Sequence, residues 1–135
     1  MKTFMLAAAT IALTVPTMLG AQEWIPAQER RLSAGYNDCV KAADGVMPDT
    51  IQCTQAEHGK QDARLNQAYR MVMTRLSAAR RGVLRNSQRD WIRERDGTCQ
   101  RRWDEAGGGQ ASDLEQSSCL LRQTIARTMW LERYR

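Results

Sequence analysis

From Leu65 onward, apolar residues recur at intervals of three and four, and no stretch alternates in the manner of a strand. Leu65, Tyr69, Val72, Leu76 and Ala79 predict a first long helix from about Gln55 to Arg80. Thr54-Gln55-Ala56-Glu57 has the spacing of a capping box at its start, and Gly59 is a weak spot within it. Gly82 marks a corner or kink, after which a second helix runs from about Val83 to Asp104. Gly107-Gly108-Gly109 is a loop. Ser112-Asp113-Leu114-Glu115 is a second capping box, opening a third helix to about Tyr134 with Leu114, Leu121, Ile125 and Thr128 on one face. Upstream, Pro26 to Ala34 and Cys39 to Ala43 read as short helices, the second stopping at Gly45, and Pro48 is expected to break the chain. The predicted fold is all-α. It is a small three-helix domain, a long helical hairpin plus a C-terminal helix, with a short N-terminal helical segment.

One stripe of the second helix mixes chemistry. Leu84, Gln88, Trp91, Arg95 and Cys99 fall on one side because residues three or four apart stack over each other. An arginine aligned with a tryptophan and a cysteine must either snorkel to solvent or find a partner.

The start of the chain follows a different rule. Lys2 precedes an uncharged apolar run from Phe4 to Val15, and small residues close the segment at Gly20-Ala21. This is the pattern of a secretory signal peptide over residues 1–21, cleaved after Ala21. The run is short for a membrane span and leads straight into Gln22 and Glu23. Leu19-Gly20-Ala21 begins like a lipoprotein cleavage box, but Gln22 stands where the lipidated cysteine would be. The expectation is a soluble exported protein, periplasmic or secreted, with no lipid anchor and no transmembrane segment after cleavage.

Residues 22–135 are enough for one small domain. Loss of Lys2 lowers the formal charge from +5 to +4. Residues 22–63 carry a net −3 and residues 64–135 a net +7, so the long helices hold a basic surface. Such a surface is usually only a solvated face, and sometimes a site for an acidic partner.

All four cysteines, Cys39, Cys53, Cys99 and Cys119, lie in the exported part, which for a small domain reads as two disulfides. Three connectivities are open; Cys39–Cys53 with Cys99–Cys119 is the favoured one, stapling segments adjacent in sequence. There is no Cys-x-x-Cys, and His58 is the only histidine, so neither a zinc site nor another cofactor is expected. His58 itself is expected to be merely exposed. No serine elbow, cysteine–histidine pair or phosphate loop is present, so the chain does not read as an enzyme.

A family pattern runs through these residues. Cys53, Asp62-x-x-Leu65-Asn66-x-x-Tyr69, Gln88-x-x-Trp91-x-x-x-Arg95-Asp96-x-x-Cys99, a glycine-rich loop, Cys119 and Thr124-x-x-Arg127-x-x-x-Leu131 follow in order. Over about Cys39 to Arg135 the chain resembles the LprI-type lysozyme-inhibitor domain, a family long known only as a domain of unknown function. Glu94 stands where an aromatic is usual, and Gln123 where a leucine usually precedes Thr124. The resemblance implies an exported, all-helical, disulfide-bonded domain and, for some members, inhibition of lysozyme.

The motif residues Asp62, Asn66, Gln88, Arg95, Asp96, Thr124 and Arg127 are expected to form a partly buried polar network joining the three helices, with Trp91 in the core. Trp91, Arg85, Arg89, Arg93 and Arg95 are the candidates for a partner-binding surface, since tryptophan and arginine are favoured interface anchors. Two partner classes fit a monomeric binding protein. One is a lysozyme or other peptidoglycan-associated protein. The other is an anionic component of the envelope, met through the arginine face by an accessory or scaffold protein. Specific nucleic-acid recognition is not expected, because no recognition motif is present.

Overall fold

In the computed structural model, which describes residues 25–135, the chain forms five helices and no strand among the described residues. They are α1 (Pro26–Glu29), α2 (Ala34–Ala43), α3 (Met47–Arg75), α4 (Ala78–Glu105) and α5 (Gly109–Arg133). The expected signal segment lies outside the described residues. The all-helical expectation holds, and so does the favoured pairing: Cys39–Cys53 joins α2 to α3, and Cys99–Cys119 joins α4 to α5.

Several helix ends lie elsewhere than expected. Pro48 does not break the chain. It sits in the first turn of α3, where a missing N–H costs no hydrogen bond and the fixed φ suits a helix. Thr54 and Glu57 therefore lie inside α3 rather than at its start. The Thr54 hydroxyl donates to the Thr50 carbonyl at 2.8 Å, and Glu57 reaches a different helix altogether. Its carboxylate accepts the Ser33 backbone N–H at 2.9 Å and the Ser33 hydroxyl at 2.6 Å, bracing the N-cap of α2. Gly82 is mid-helix. The corner is at Leu76-Ser77, where Leu76 is extended and Ser77 caps α4, accepting from Arg80 N–H.

The second capping box is likewise inside its helix. α5 begins at Gly109, and Ser112 Oγ accepts the Gly108 N–H at 2.7 Å. Glu115 receives Arg102 of α4 at 2.9 Å instead of a backbone amide. Gly107, Gly108 and Gly109 all have positive φ, a run that only glycine supports without strain. Trp103 closes this loop by donating its indole N–H to Asp113 at 2.8 Å.

α5 is the axis of the domain. It packs against both α3 and α4, whose own backbones hardly approach each other, so the hairpin is splayed and α5 fills one side of it. Leu121, Thr124, Ile125, Thr128 and Leu131 are accordingly buried. The Ser117 and Thr128 hydroxyls bond to carbonyls of their own helix, at 2.7 and 2.9 Å, so small polar residues sit in the interface with no unsatisfied group. The apolar core lies toward the α3–α4 corner, where Leu65, Val72, Leu76, Leu84 and Leu131 meet. The other end of α5 is held by the Cys99–Cys119 bridge.

Candidate functional site

The splay of α3 and α4 opens a cleft of about 300 Å³, and no α5 residue lines it. Asp62, Leu65, Asn66 and Tyr69 form its α3 wall, at the spacing that puts side chains on one helix face. Gln88, Trp91, Ile92 and Arg95 face them from α4, with Arg85 and Arg89 at the same wall. The polar motif residues of both helices thus share a cleft rather than a core.

The expected stripe on α4 is present. Leu84 and Cys99 are buried, and Gln88, Trp91 and Arg95 are half-buried between them. Arg95 resolves its position twice over: its guanidinium lies 5.0 Å from the centre of the Trp91 ring, and it pairs with Asp96 at 2.8 Å. Arg127, on α5, links α5 to the α4 stripe. Its Nε donates to Gln88 Oε1 and its Nη2 to Ser87 Oγ, both at 2.9 Å. Its guanidinium also lies 3.9 Å from the Trp130 ring centre and 5.5 Å from that of Trp91. Burial lowers its pKa from the ordinary guanidinium value, with Tyr134 opposing, yet an arginine stays charged at neutral pH.

Within the motif, the inter-helix contacts are hydrogen bonds and the ion pair is local. Asp62 accepts from Asn66 on its own helix at 2.9 Å, and Arg95 pairs with its chain neighbour. Between the motif residues of α4 and α5 the tie, Arg127 to Gln88, is a charged-to-neutral hydrogen bond. Thr124 is fully buried, and its hydroxyl lies 3.2 Å from His58 Nε2. His58 is therefore not exposed as expected but half-buried within α3, because α3 starts earlier and α5 covers it. Burial lowers its pKa, Arg95 adds to the effect, and Asp62 and Asp96 oppose it, so the ring is neutral at pH 7.

The arginines divide into two groups. Those at the corner are engaged: Arg75 donates to the Tyr134 carbonyl at 2.8 Å, Arg80 to that of Arg135, and Arg81 to that of Met73 at 2.9 Å. Arg93 pairs with Asp90 in solvent. Arg85 and Arg89 make no hydrogen bond, ion pair or ring contact among the described residues. Nothing in the sequence distinguishes these two from their neighbours.

No grouping of histidine, cysteine and carboxylate side chains suited to a metal ion occurs among the described residues. No described helix is long and apolar enough to cross a membrane.

The comparison with known families decides the relationship. The family model described as "Lysozyme inhibitor LprI" matches residues 39–131. The chain belongs to the LprI family. A protein of Rhizobium meliloti (strain 1021), itself described as uncharacterized, is 32% identical over 108 residues, covering 70% of this chain and 76% of the relative. No solved structure matches. The LprI match begins at Cys39 and ends at Leu131, so it takes in both disulfides, the cleft and Arg127.

Proposed function

We propose that this protein is an exported lysozyme inhibitor, and that the α3/α4 cleft with its arginine wall is the face that meets the enzyme. Membership in a lysozyme-inhibitor family supports the activity. The observation that carries the choice of face is that the motif residues Asp62, Asn66, Gln88, Trp91 and Arg95 line one cleft, flanked by guanidinium groups without partners. Lysozymes cut glycosidic bonds with a pair of carboxyl groups in an open substrate cleft. A guanidinium offered to such a carboxylate forms a short, charge-assisted, two-point contact. Binding there would block substrate without any catalysis by the inhibitor. Two disulfides and the signal-like segment at residues 1–21 support export, since such bridges persist in oxidising compartments.

The test is the clearing of a peptidoglycan suspension by a panel of lysozyme types, with the oxidised protein added. Inhibition of one type at physiological salt, lost on reduction, is the expected result. Failure against every type by a folded sample would reject this reading. The second reading, an envelope protein whose arginine face meets an anionic component, is favoured by the free guanidinium groups of Arg85 and Arg89. It predicts binding that moderate salt abolishes and that is indifferent to partner identity.

A further inference from the structure

We infer that the α4 wall of the cleft is a carboxylate-binding slot, in which Arg85, Gln88 and Arg89 together grip one acidic side chain. Three observations converge on it. Arg85 and Arg89 are one turn apart, line the cleft and have no partner among the described residues, in contrast to Arg75, Arg80, Arg81, Arg93 and Arg95, all of which are held. Gln88 stands between them with its amide already oriented. Arg127 donates to its Oε1 at 2.9 Å, so the amide NH₂ is the end left to donate. On the opposite wall, the Tyr69 hydroxyl has no hydrogen-bond partner among the described residues either. The α4 wall therefore presents a row of donors, the arrangement that holds an oxyanion, while the acceptors of the cleft, Asp62 and Asn66, lie on the α3 wall.

The ligand's charge is also selected. Asp62 sits in the facing wall, with Asn66 as its only hydrogen-bond partner among the described residues. A second negative group nearby penalises a dianion such as phosphate more than a singly charged carboxylate. The volume of about 300 Å³ is ample for an acidic side chain. The source of the carboxylate, an acidic residue in the substrate cleft of the inhibited enzyme, rests on the inhibitor reading; the slot itself does not.

Two measurements on the protein, exported and purified with both disulfides formed, separate the claims. The first is a titration with butyrate, a monocarboxylate, and with inorganic phosphate and chloride at constant ionic strength, followed by NMR at the Gln88 side-chain amide and the Nε–H groups of Arg85 and Arg89. Saturable shifts with butyrate, weaker with phosphate and absent with chloride, are expected, and Arg85→Ala/Arg89→Ala should abolish the shift at the Gln88 amide. Equal responses to all three anions, or none, would overturn the slot whatever the protein inhibits. The second is the lysozyme panel with single variants. Arg85→Ala and Arg89→Ala should each weaken inhibition about tenfold, while Arg93→Ala, already paired with Asp90, changes it less than about twofold. Wild-type inhibition insensitive to Arg85 and Arg89 would overturn the slot as the inhibitory contact. A butyrate site in a protein that inhibits no lysozyme would support the slot and remove only the enzyme as its partner.

Discussion

Arg127 holds Gln88: a cation of α5 fixes the amide orientation of a residue on α4 across 39 positions of chain, with Nε to Oε1 at 2.9 Å. The same guanidinium stacks 3.9 Å from the Trp130 ring centre. One side chain therefore couples the packing of α5 to the geometry of the cleft wall, beside the Cys99–Cys119 bridge and the Arg102–Glu115 pair that also join α4 to α5.

Truncating Arg127 to alanine should cost about 2 kcal/mol, the scale of hydrogen bonds to a charged group plus a partly desolvated cation–π contact. That is a fall of roughly 8 °C in Tm for a domain of this size. Arg127→Lys keeps the charge but loses the planar fork, and should recover less than half of the loss. Arg95→Ala is the control. Its partners, Trp91 and Asp96, are on its own helix, so a loss of about 1 kcal/mol is expected. Thermal melts in which Arg95→Ala cost as much as Arg127→Ala would refute the division of roles.

Glu57 and His58 should give the protein a two-stage sensitivity to acid. Burial alone would raise the pKa of Glu57, but the hydrogen bonds from Ser33 and Gln61 outweigh it, and the folded value is lowered. Its stabilising contribution is present above the unfolded pKa near 4.3 and is lost as pH falls through the folded value. His58 is also lowered in the fold, so its share is present above about pH 6.5 and is lost as pH falls through its own folded value. Plots of Tm against pH should lose the upper limb in His58→Gln and the lower limb in Glu57→Gln. Unchanged plots would sink the assignment.

The two disulfides should differ in reactivity. Cys99 and Cys119 are 1% and 2% exposed, whereas Cys39 is exposed on α2. A mild reductant followed by alkylation and peptide mass analysis should label Cys39 and Cys53 first; simultaneous labelling of all four would contradict this. The bridges close separations of 14 and 20 residues, each worth about 3 kcal/mol in the chain-entropy model. Removing Cys99–Cys119 should cost more than removing Cys39–Cys53, because both of its cysteines are buried whereas Cys39 is exposed. Denaturant melts of the two paired serine variants compare them directly.

Gly108→Ala should lower stability by about 1 kcal/mol, since its φ of 89° disfavours any side chain. The same change at Gly82, mid-helix and with nothing within 4 Å of a new Cβ, should instead stabilise by about the same amount. Equal effects at the two positions would show that the loop backbone does not require glycine.

Much of the fold was legible because helices are written locally. The spacing of Leu65, Tyr69, Val72 and Leu76, and of Leu121, Ile125 and Thr128, fixed two long helices and their inward faces; proximity in sequence was enough to favour the disulfide pairing. Helix ends were less legible. Thr54–Glu57 and Ser112–Glu115 both have capping-box spacing, yet both acidic groups serve other helices, Glu57 at Ser33 and Glu115 at Arg102. A short polar motif states what a carboxylate can accept, not from where.

The candidate site divides in the same way. Sequence by itself determined that Asp62, Asn66, Gln88, Trp91 and Arg95 would lie on helix faces at regular spacing, because periodicity is a property of one helix. Only the tertiary structure decided that α5, rather than α4, would pack along α3, leaving those faces across a cleft. It also decided which guanidinium groups found carbonyls or carboxylates and which, at Arg85 and Arg89, did not. Whether a long charged side chain finds a partner depends on groups brought together from distant parts of the chain, and no local pattern records that.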